Sequence, residues 1–130
     1  MRTLIFAALA LTASLTAAPT GWAQTPAAAA AERTPSPPGA EVYIISPRDG
    51  AKVSNPVVVQ FGLKSSMGIA PAGMKAENTG HHHLLIDTNA PTNMAAPLPA
   101  TENLKHFGKG QTETSLTLTP GKHTLQLLLA

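Results

Sequence analysis

The sequence predicts an all-β fold, an antiparallel β-sandwich, from three observations. Short apolar runs after residue 40 alternate with polar residues at a period of two, which is typical of half-buried strands. Proline and glycine turns separate these runs. No segment shows the apolar period of a helix. Because a sheet buries its apolar face against another layer, we expect two packed sheets and no substantial helix.

The alternation predicts five strands in the folded part of the chain. They cover residues 42–46, 56–63, 82–87, 112–119 and 122–130. In the second of them, one face carries four apolar residues, which we expect to point into the core: Val57, Val59, Phe61 and Leu63. Two connections, residues 64–80 and 88–111, are long for a small domain. Each is therefore either functional or contains a further strand.

The first 40 residues differ in composition from the rest and predict two segments outside the folded domain. A basic start, an uncharged apolar run over residues 4–18 and the small residues Gly21 and Ala23 predict a secretory signal peptide, residues 1–23, cleaved after Ala23. Residues 24–40 are predicted to form a disordered Ala/Pro-rich linker, and residues 41–130 the β-sandwich. The apolar run is shorter than the roughly 20 residues that span a bilayer. We therefore expect a periplasmic or secreted protein with no membrane span after signal cleavage.

Composition excludes several classes of function. Cysteine is absent, which excludes disulfides, a thiol nucleophile and cysteine-based metal sites. The nine basic and seven acidic side chains give a net charge of +2 without a basic cluster, so we expect no nucleic-acid partner. The sequence has no nucleophile elbow, phosphate-binding loop or zinc-protease helix signature. We therefore expect a protein that is not an enzyme.

Several sequence runs carry a family resemblance. The most specific are Met-Gly-Ile-Ala-Pro-Ala-Gly at 67–73, Thr-Gly-His-His-His-Leu-Leu-Ile-Asp at 79–87, His-Phe-Gly-Lys-Gly-Gln-Thr-Glu at 106–113 and Pro-Gly-Lys-His-Thr-Leu-Gln-Leu-Leu-Leu at 120–129. Together they closely resemble the domain-of-unknown-function family 4399, and residues 46–63 look like the opening of secreted bacterial Ig-like domains. The resemblance implies a secreted or periplasmic Ig-like sandwich. Similar members usually continue past the equivalent of Ala130, which implies an incomplete sandwich whose last strand is missing.

Histidine is the residue type that points most directly to a site. His81, His82 and His83 are consecutive at the start of a predicted strand. Side chains at i and i+2 of a strand point the same way, so His81 and His83 can share one metal ion while His82 faces the other side. His106 supplies a third ligand if its loop folds back over the strand start. Imidazole ligands suit zinc or copper, so we expect a Zn or Cu site.

Two further interpretations stay open at this point. The histidines can instead hydrogen-bond loop carbonyls and cap the core of a non-catalytic structural module that binds an envelope component. Loop methionines together with imidazoles form a soft ligand set suited to cuprous copper, although such methionines more often fill gaps over a core edge. The methionines in question are Met67, Met74 and Met94.

The relative placement of the histidines depends on which strands are neighbours. If strands 82–87 and 122–130 pair antiparallel, as strands C and F do in Ig-like sandwiches, Asp87 lies near His123. The histidine triplet then lies near Ala130, at the opposite end of the pair. We therefore expect His123 to be separate from the metal site and paired with Asp87.

Overall fold

The computed structural model describes residues 34–64 and 66–130. The predicted signal peptide, residues 1–23, and the first part of the predicted linker lie outside the described residues. Within the described part, every regular element is a strand, so the prediction of an all-β chain without substantial helix is confirmed there. No helix in that part is long and apolar enough to cross a membrane.

Eight strands make up the described part of the chain. They are β1 (Glu41–Ser46), β2 (Val57–Lys64), β3 (Gly68–Ile69), β4 (Thr79–Gly80), β5 (His82–Ile86), β6 (Leu104–His106), β7 (Glu113–Leu116) and β8 (Leu125–Leu129). One antiparallel sheet has the order β1-β2-β7, and a second has the order β6-β5-β8. The two-residue strands β3 and β4 form a separate parallel pair. The predicted pairing of the His-bearing strand with the last strand is confirmed.

One hydrophobic core joins the two three-stranded sheets. Strand β2 contributes alternate residues from Val57 to Phe61, where its burial pattern follows the predicted period of two; beyond Phe61 the pattern breaks, since Gly62 is buried and Leu63 only half-buried. Val59 and Leu84 are fully buried, one from each sheet. The buried residues of the cluster are Val57, Val59, Phe61, Leu84, Ile86, Phe107, Leu116 and Leu127. The two sheets are therefore two layers around shared apolar side chains.

Two strands, β7 and β8, are shorter than the predicted ranges 112–119 and 122–130. At one end of each, hydrogen bonds from side chains take the place of backbone pairing between strands. Strand β7 ends at Leu116, and beyond it the side chain of Asn55 takes the place of a neighbouring strand. Asn55 Oδ1 accepts a hydrogen bond from Leu118 N at 2.9 Å, and Asn55 Nδ2 donates to Leu118 O at 2.6 Å. At the start of β8, Thr124 N donates to Asp87 Oδ1 at 2.7 Å.

The two long connections contain strands that the alternation does not reveal. Residues 64–80 include β3 and β4, and residues 88–111 include β6. The placement of His106 in a loop is therefore wrong, since His106 ends β6 and lies opposite His83 in the ladder. A three-residue strand is too short to show a period of two, which is why the sequence does not predict it.

Truncating a side chain in the core should lower the free energy of unfolding far more than truncating a side chain on the outer face of a strand. We expect Leu84→Ala to lower the free energy of unfolding by about 2–5 kcal/mol, because it leaves a cavity between the sheets. Val58 is 49% exposed on the outer face of β2, so Val58→Ala should cost less than about 1 kcal/mol. Urea denaturation of both variants measures the difference. Equal losses would contradict the assignment of the core.

Candidate metal centre

Three histidines from two adjacent strands converge on one face of the β6-β5-β8 sheet. His81 lies directly before β5, His83 lies within it, and His106 is opposite His83 on β6. One potential ligand atom from each of the three residues lies within 4.8 Å of the other two. The ring centroids are 4.8–4.9 Å apart, and the His83 and His106 rings are nearly parallel, with an interplanar angle of 7°. The predicted sharing of a face by His81 and His83 is confirmed.

The separation of the potential ligand atoms, up to 4.8 Å, is wider than that of a metal-bound set. Nitrogens held about 2.0–2.1 Å from a tetrahedral ion lie about 3.4 Å from one another. The imidazoles therefore have to move closer together, and the stacked rings of His83 and His106 have to rotate, to bind a single ion. Their burial is graded, with His83 buried, His81 half-buried and His106 exposed. The cluster thus extends from the interior to the surface and leaves solvent access on the His106 side.

Burial and mutual repulsion favour the neutral, metal-binding form of two of these imidazoles. Burial lowers the pKa of His83 to about 4, and repulsion from His81 and His106 adds to the effect. Burial also lowers the pKa of His81, with a further contribution from His106. The Nδ1 atom of His83 is buried and has no hydrogen-bond partner. A polar atom in this state is costly to the fold unless a ligand engages it.

Hydrogen bonds and one close contact hold His106 beside β5. Asn103 Nδ2 donates to Ile86 O at 2.8 Å, and Phe107 N donates to His82 O at 3.0 Å, so bonds to β5 flank His106 on both sides. Gly108 lies against the imidazole of His106. A Cβ atom at position 108 would be 2.7 Å from Nε2 of His106, so only glycine fits there without moving the ring.

Backbone hydrogen bonds to Ala130 hold His81, the first residue of the histidine triplet, in place. His81 N donates to Ala130 O at 2.8 Å, and Ala130 N donates to His81 O at 3.1 Å. The expectation that the triplet lies near Ala130 is therefore confirmed.

His82 belongs to the core and not to the cluster. It is 1% exposed, and its ring packs against Phe61 at a tilted angle of 58°, with centroids 5.1 Å apart. This orientation agrees with the predicted alternation of the three consecutive histidines. Burial lowers the pKa of His82, so the ring is neutral in the core at neutral pH. Its Nδ1 atom has no hydrogen-bond partner.

The predicted pairing of His123 with Asp87 is confirmed at the opposite end of the sheet. His123 Nδ1 is 2.7 Å from Asp87 Oδ2, and His123 Nε2 is 2.7 Å from Thr119 O. A carboxylate and a carbonyl can only accept hydrogen bonds, so both contacts are satisfied when both ring nitrogens donate, which favours the protonated imidazole. The hydrogen bond to Asp87 raises the pKa of His123, and the same bond lowers the pKa of Asp87. We call this arrangement the His123–Asp87 clasp.

The methionine-containing copper site stays a prediction. Met67 and Met94 are half-buried in connecting segments, and Met74 is 60% exposed. The exposure of Met74 does not fit a gap filler over a core edge.

Comparison with protein families identifies the chain's relatives. A family model described as "Domain of unknown function (DUF4399)" matches residues 59–130, which is more than half of the chain. The chain belongs to this family. Comparison with curated proteins and with solved structures gives no match. The matched segment contains all three clustered histidines.

The clasp should stabilise the fold in a defined pH window. The protonated His123 contributes its full share to the free energy of unfolding below the ordinary pKa near 6.5. This contribution is lost as pH rises through the raised pKa of His123. The ionised Asp87 contributes to the free energy of unfolding above its ordinary pKa of 3.8. This contribution is lost as pH falls through the lowered pKa of Asp87. We therefore expect His123→Ala to lower the melting temperature more at about pH 5.5 than at about pH 9.

Circular dichroism melts at the two pH values provide the measurement. The neighbouring exposed Lys122 serves as the control, because Lys122→Ala should leave the melting temperature nearly unchanged at both values. A His123→Ala effect of the same size at both pH values would show that the ring acts only through packing.

Proposed function

We propose that the protein is a non-enzymatic periplasmic or secreted module that binds a transition-metal ion, Zn²⁺ or Cu²⁺, through His81, His83 and His106. The observation that carries the proposal is the convergence of these three potential ligand atoms within 4.8 Å of one another. Placement outside the cytoplasm rests on the signal peptide predicted over residues 1–23.

The ligand set supports reversible capture of the ion. Three neutral nitrogens suit zinc and copper, whereas a closed structural zinc site takes four protein ligands. A three-ligand site keeps a coordination position open, and the exposed His106 lies on the solvent side. An open position lets a donor or acceptor ligand exchange onto the ion. The cluster consists of imidazoles alone, with no carboxylate as a general base, so sequestration or delivery suits it better than hydrolysis.

We also propose the finer fold assignment, an Ig-like sandwich. It is supported by two three-stranded antiparallel sheets that share one core. The antiparallel neighbours β5 and β8 correspond in this assignment to strands C and F of Ig-like domains. In this frame the three histidines lie at one end of the C–F pair, and the His123–Asp87 clasp lies at the other.

A second candidate is a structural or envelope-interaction module whose histidines only cap the core. Capping would require the ring nitrogens to bond carbonyl groups. The buried Nδ1 atoms of His82 and His83 have no such partner, although the His83 side chain does have a hydrogen bond with the backbone of His81. The convergence of three imidazoles within 4.8 Å supports the metal-binding candidate. The capping candidate becomes the better account if the protein binds no metal.

Calorimetric titration of the metal-free protein with Zn²⁺ and with Cu²⁺ tests the proposal. We expect one site of modest affinity, which His81→Ala/His83→Ala abolishes and His106→Ala weakens by about tenfold or more. The matched control is His82→Leu, which changes the adjacent histidine on the opposite face. It should keep metal binding, and its stability should be equal or higher because an unpartnered buried nitrogen is removed. Identical heats for the wild type and the double variant would refute the metal site.

The pH dependence of metal affinity should reflect the lowered pKa values. Protons compete with the ion for imidazole nitrogens, so affinity falls once a ligand protonates. Because the pKa of His83 is about 4 and that of His81 lies below 6.5, competition at these two ligands begins at lower pH than in an unfolded chain. We expect the affinity to decline less between about pH 7 and pH 5.5 than that of a peptide spanning residues 79–87. An equal decline would contradict the burial argument.

A further inference from the structure

Residues 70–74, in the connection between β3 and β4, form a loop beside the histidine cluster, which we call the Met74 loop. Ala70 N donates to Gly80 O at 2.8 Å, which continues the parallel pairing of β3 and β4 by one residue. Because His81 follows Gly80 in the chain, the loop begins next to the first ligand of the proposed metal site. Ala70 is buried, so this end of the loop is anchored in the fold.

The middle of the Met74 loop lies beside the third histidine of the cluster. Ala72 N donates to Gly108 O at 2.8 Å, and Gly108 follows His106 by two residues. A Cβ atom at position 108 would be 2.7 Å from His106 Nε2 and 3.3 Å from Ala72 Cβ. Both atoms therefore border the same small space, and Ala72 is a neighbour of the His106 ring. The loop thus runs from the strand before His81 to the imidazole of His106.

A tight turn at the end of the loop keeps Met74 close to the cluster. Met74 N donates to Pro71 O at 3.1 Å, and Gly73 has a φ of 83°, as the third residue of a type II turn requires. Met74 is two residues beyond Ala72, so the Cα atoms of these two residues are at most about 7 Å apart. Met74 is 60% exposed, and its side chain has three rotatable bonds. Its thioether is therefore tethered near the cluster and can turn toward an ion bound there.

Ligand type and charge both favour monovalent copper at this position. A thioether is a soft ligand that selects Cu⁺, whereas zinc sites use imidazole, thiolate and carboxylate ligands. The cluster consists of imidazoles, and among the described residues no carboxylate contributes to the lowered pKa values of His81 and His83. The charge of a bound ion is therefore not compensated by its ligands. Because the cost of removing an ion from water rises with the square of its charge, this partly buried site favours an ion with a single charge.

We infer that the ion carried by this site is Cu⁺ and that the thioether of Met74 completes its coordination alongside the three clustered histidines. The inference rests on the proposed metal-binding function and adds to it a fourth ligand and a choice of ion. Zn²⁺ and Cu²⁺ use the imidazoles and leave Met74 in solvent. Met74 is thus the residue that separates monovalent copper from the divalent ions. The coordination position that the imidazoles leave open is filled by one exposed side chain, which a donor or acceptor ligand can displace.

Anaerobic competition for Cu⁺ with the chromogenic chelator bicinchoninate measures the affinity of the protein. We expect Met74→Leu to lower the Cu⁺ affinity by about tenfold or more, because one ligand is removed. The calorimetric Zn²⁺ affinity of the same variant should stay within about twofold of the wild-type value, since zinc does not use the thioether. Leucine is close to methionine in volume and position 74 is exposed, so the substitution should leave the fold intact.

Met67→Leu is the matched control. In the parallel register Gly68 lies opposite Thr79 and Ile69 opposite Gly80, so Met67 lies at the end of β3 that points away from His81. This substitution should leave both affinities unchanged. NMR of methyl-labelled methionine gives a second readout that does not depend on a variant. The Met74 methyl signal should shift when Cu⁺ is added to the wild type and should stay in place when Zn²⁺ is added.

Three results would overturn the inference and leave the proposed metal site standing, provided that His81→Ala/His83→Ala still abolishes Zn²⁺ binding. The first is a Cu⁺ affinity of Met74→Leu equal to that of the wild type. The second is an equal loss of Cu⁺ and Zn²⁺ affinity in Met74→Leu, which would remove its role in selecting the ion. The third is a Cu⁺-induced shift of the Met67 or Met94 methyl signal in place of Met74. If the wild type binds none of Zn²⁺, Cu²⁺ and Cu⁺, the inference and the proposed function are both refuted.

Discussion

The two-residue alternation of β5, the central strand of its sheet, is the constraint on which the rest of the structure depends. Three consecutive histidines cannot point the same way in a strand. His82 is therefore directed into the core against Phe61, while His83 joins His81 and His106 on the other face. A shift of one residue in register would place two histidines in the core and leave one outside. The site and the core are thus set by the same pairing of β5 with β6 and β8.

The two ends of this sheet use histidine in opposite charge states. At the start of β5, burial and neighbouring imidazoles lower the pKa of His83 to about 4, and no carboxylate belongs to the cluster. A metal ion can supply the positive charge that protons cannot bring there without repulsion. At the far end, His123 lies between a carboxylate and a carbonyl, which favours the imidazolium and raises the pKa of His123. Environment, and not residue type, decides whether a histidine here is a candidate ligand or a cation.

The features that follow from a period of two can be predicted from the sequence, whereas those that depend on single contacts between distant residues cannot. The alternation of β2 and β5, the β5–β8 pairing and the meeting of Asp87 with His123 all follow from a period of two and one topological assumption. Strand β6 does not, because its three residues are held by the Asn103 side chain and by bonds to β5 on either side of His106. The need for glycine at 108 depends on a ring that is distant in the fold, so sequence alone cannot reveal it.

Strand β8 supports the histidine cluster through its pairing with β5. The backbone of His81 makes both of its hydrogen bonds to Ala130, at the end of this strand. Fraying of that end would therefore loosen the first ligand beside His83. A preorganised ligand set binds its ion with less ordering cost, so the β5–β8 pairing favours the metal-binding arrangement.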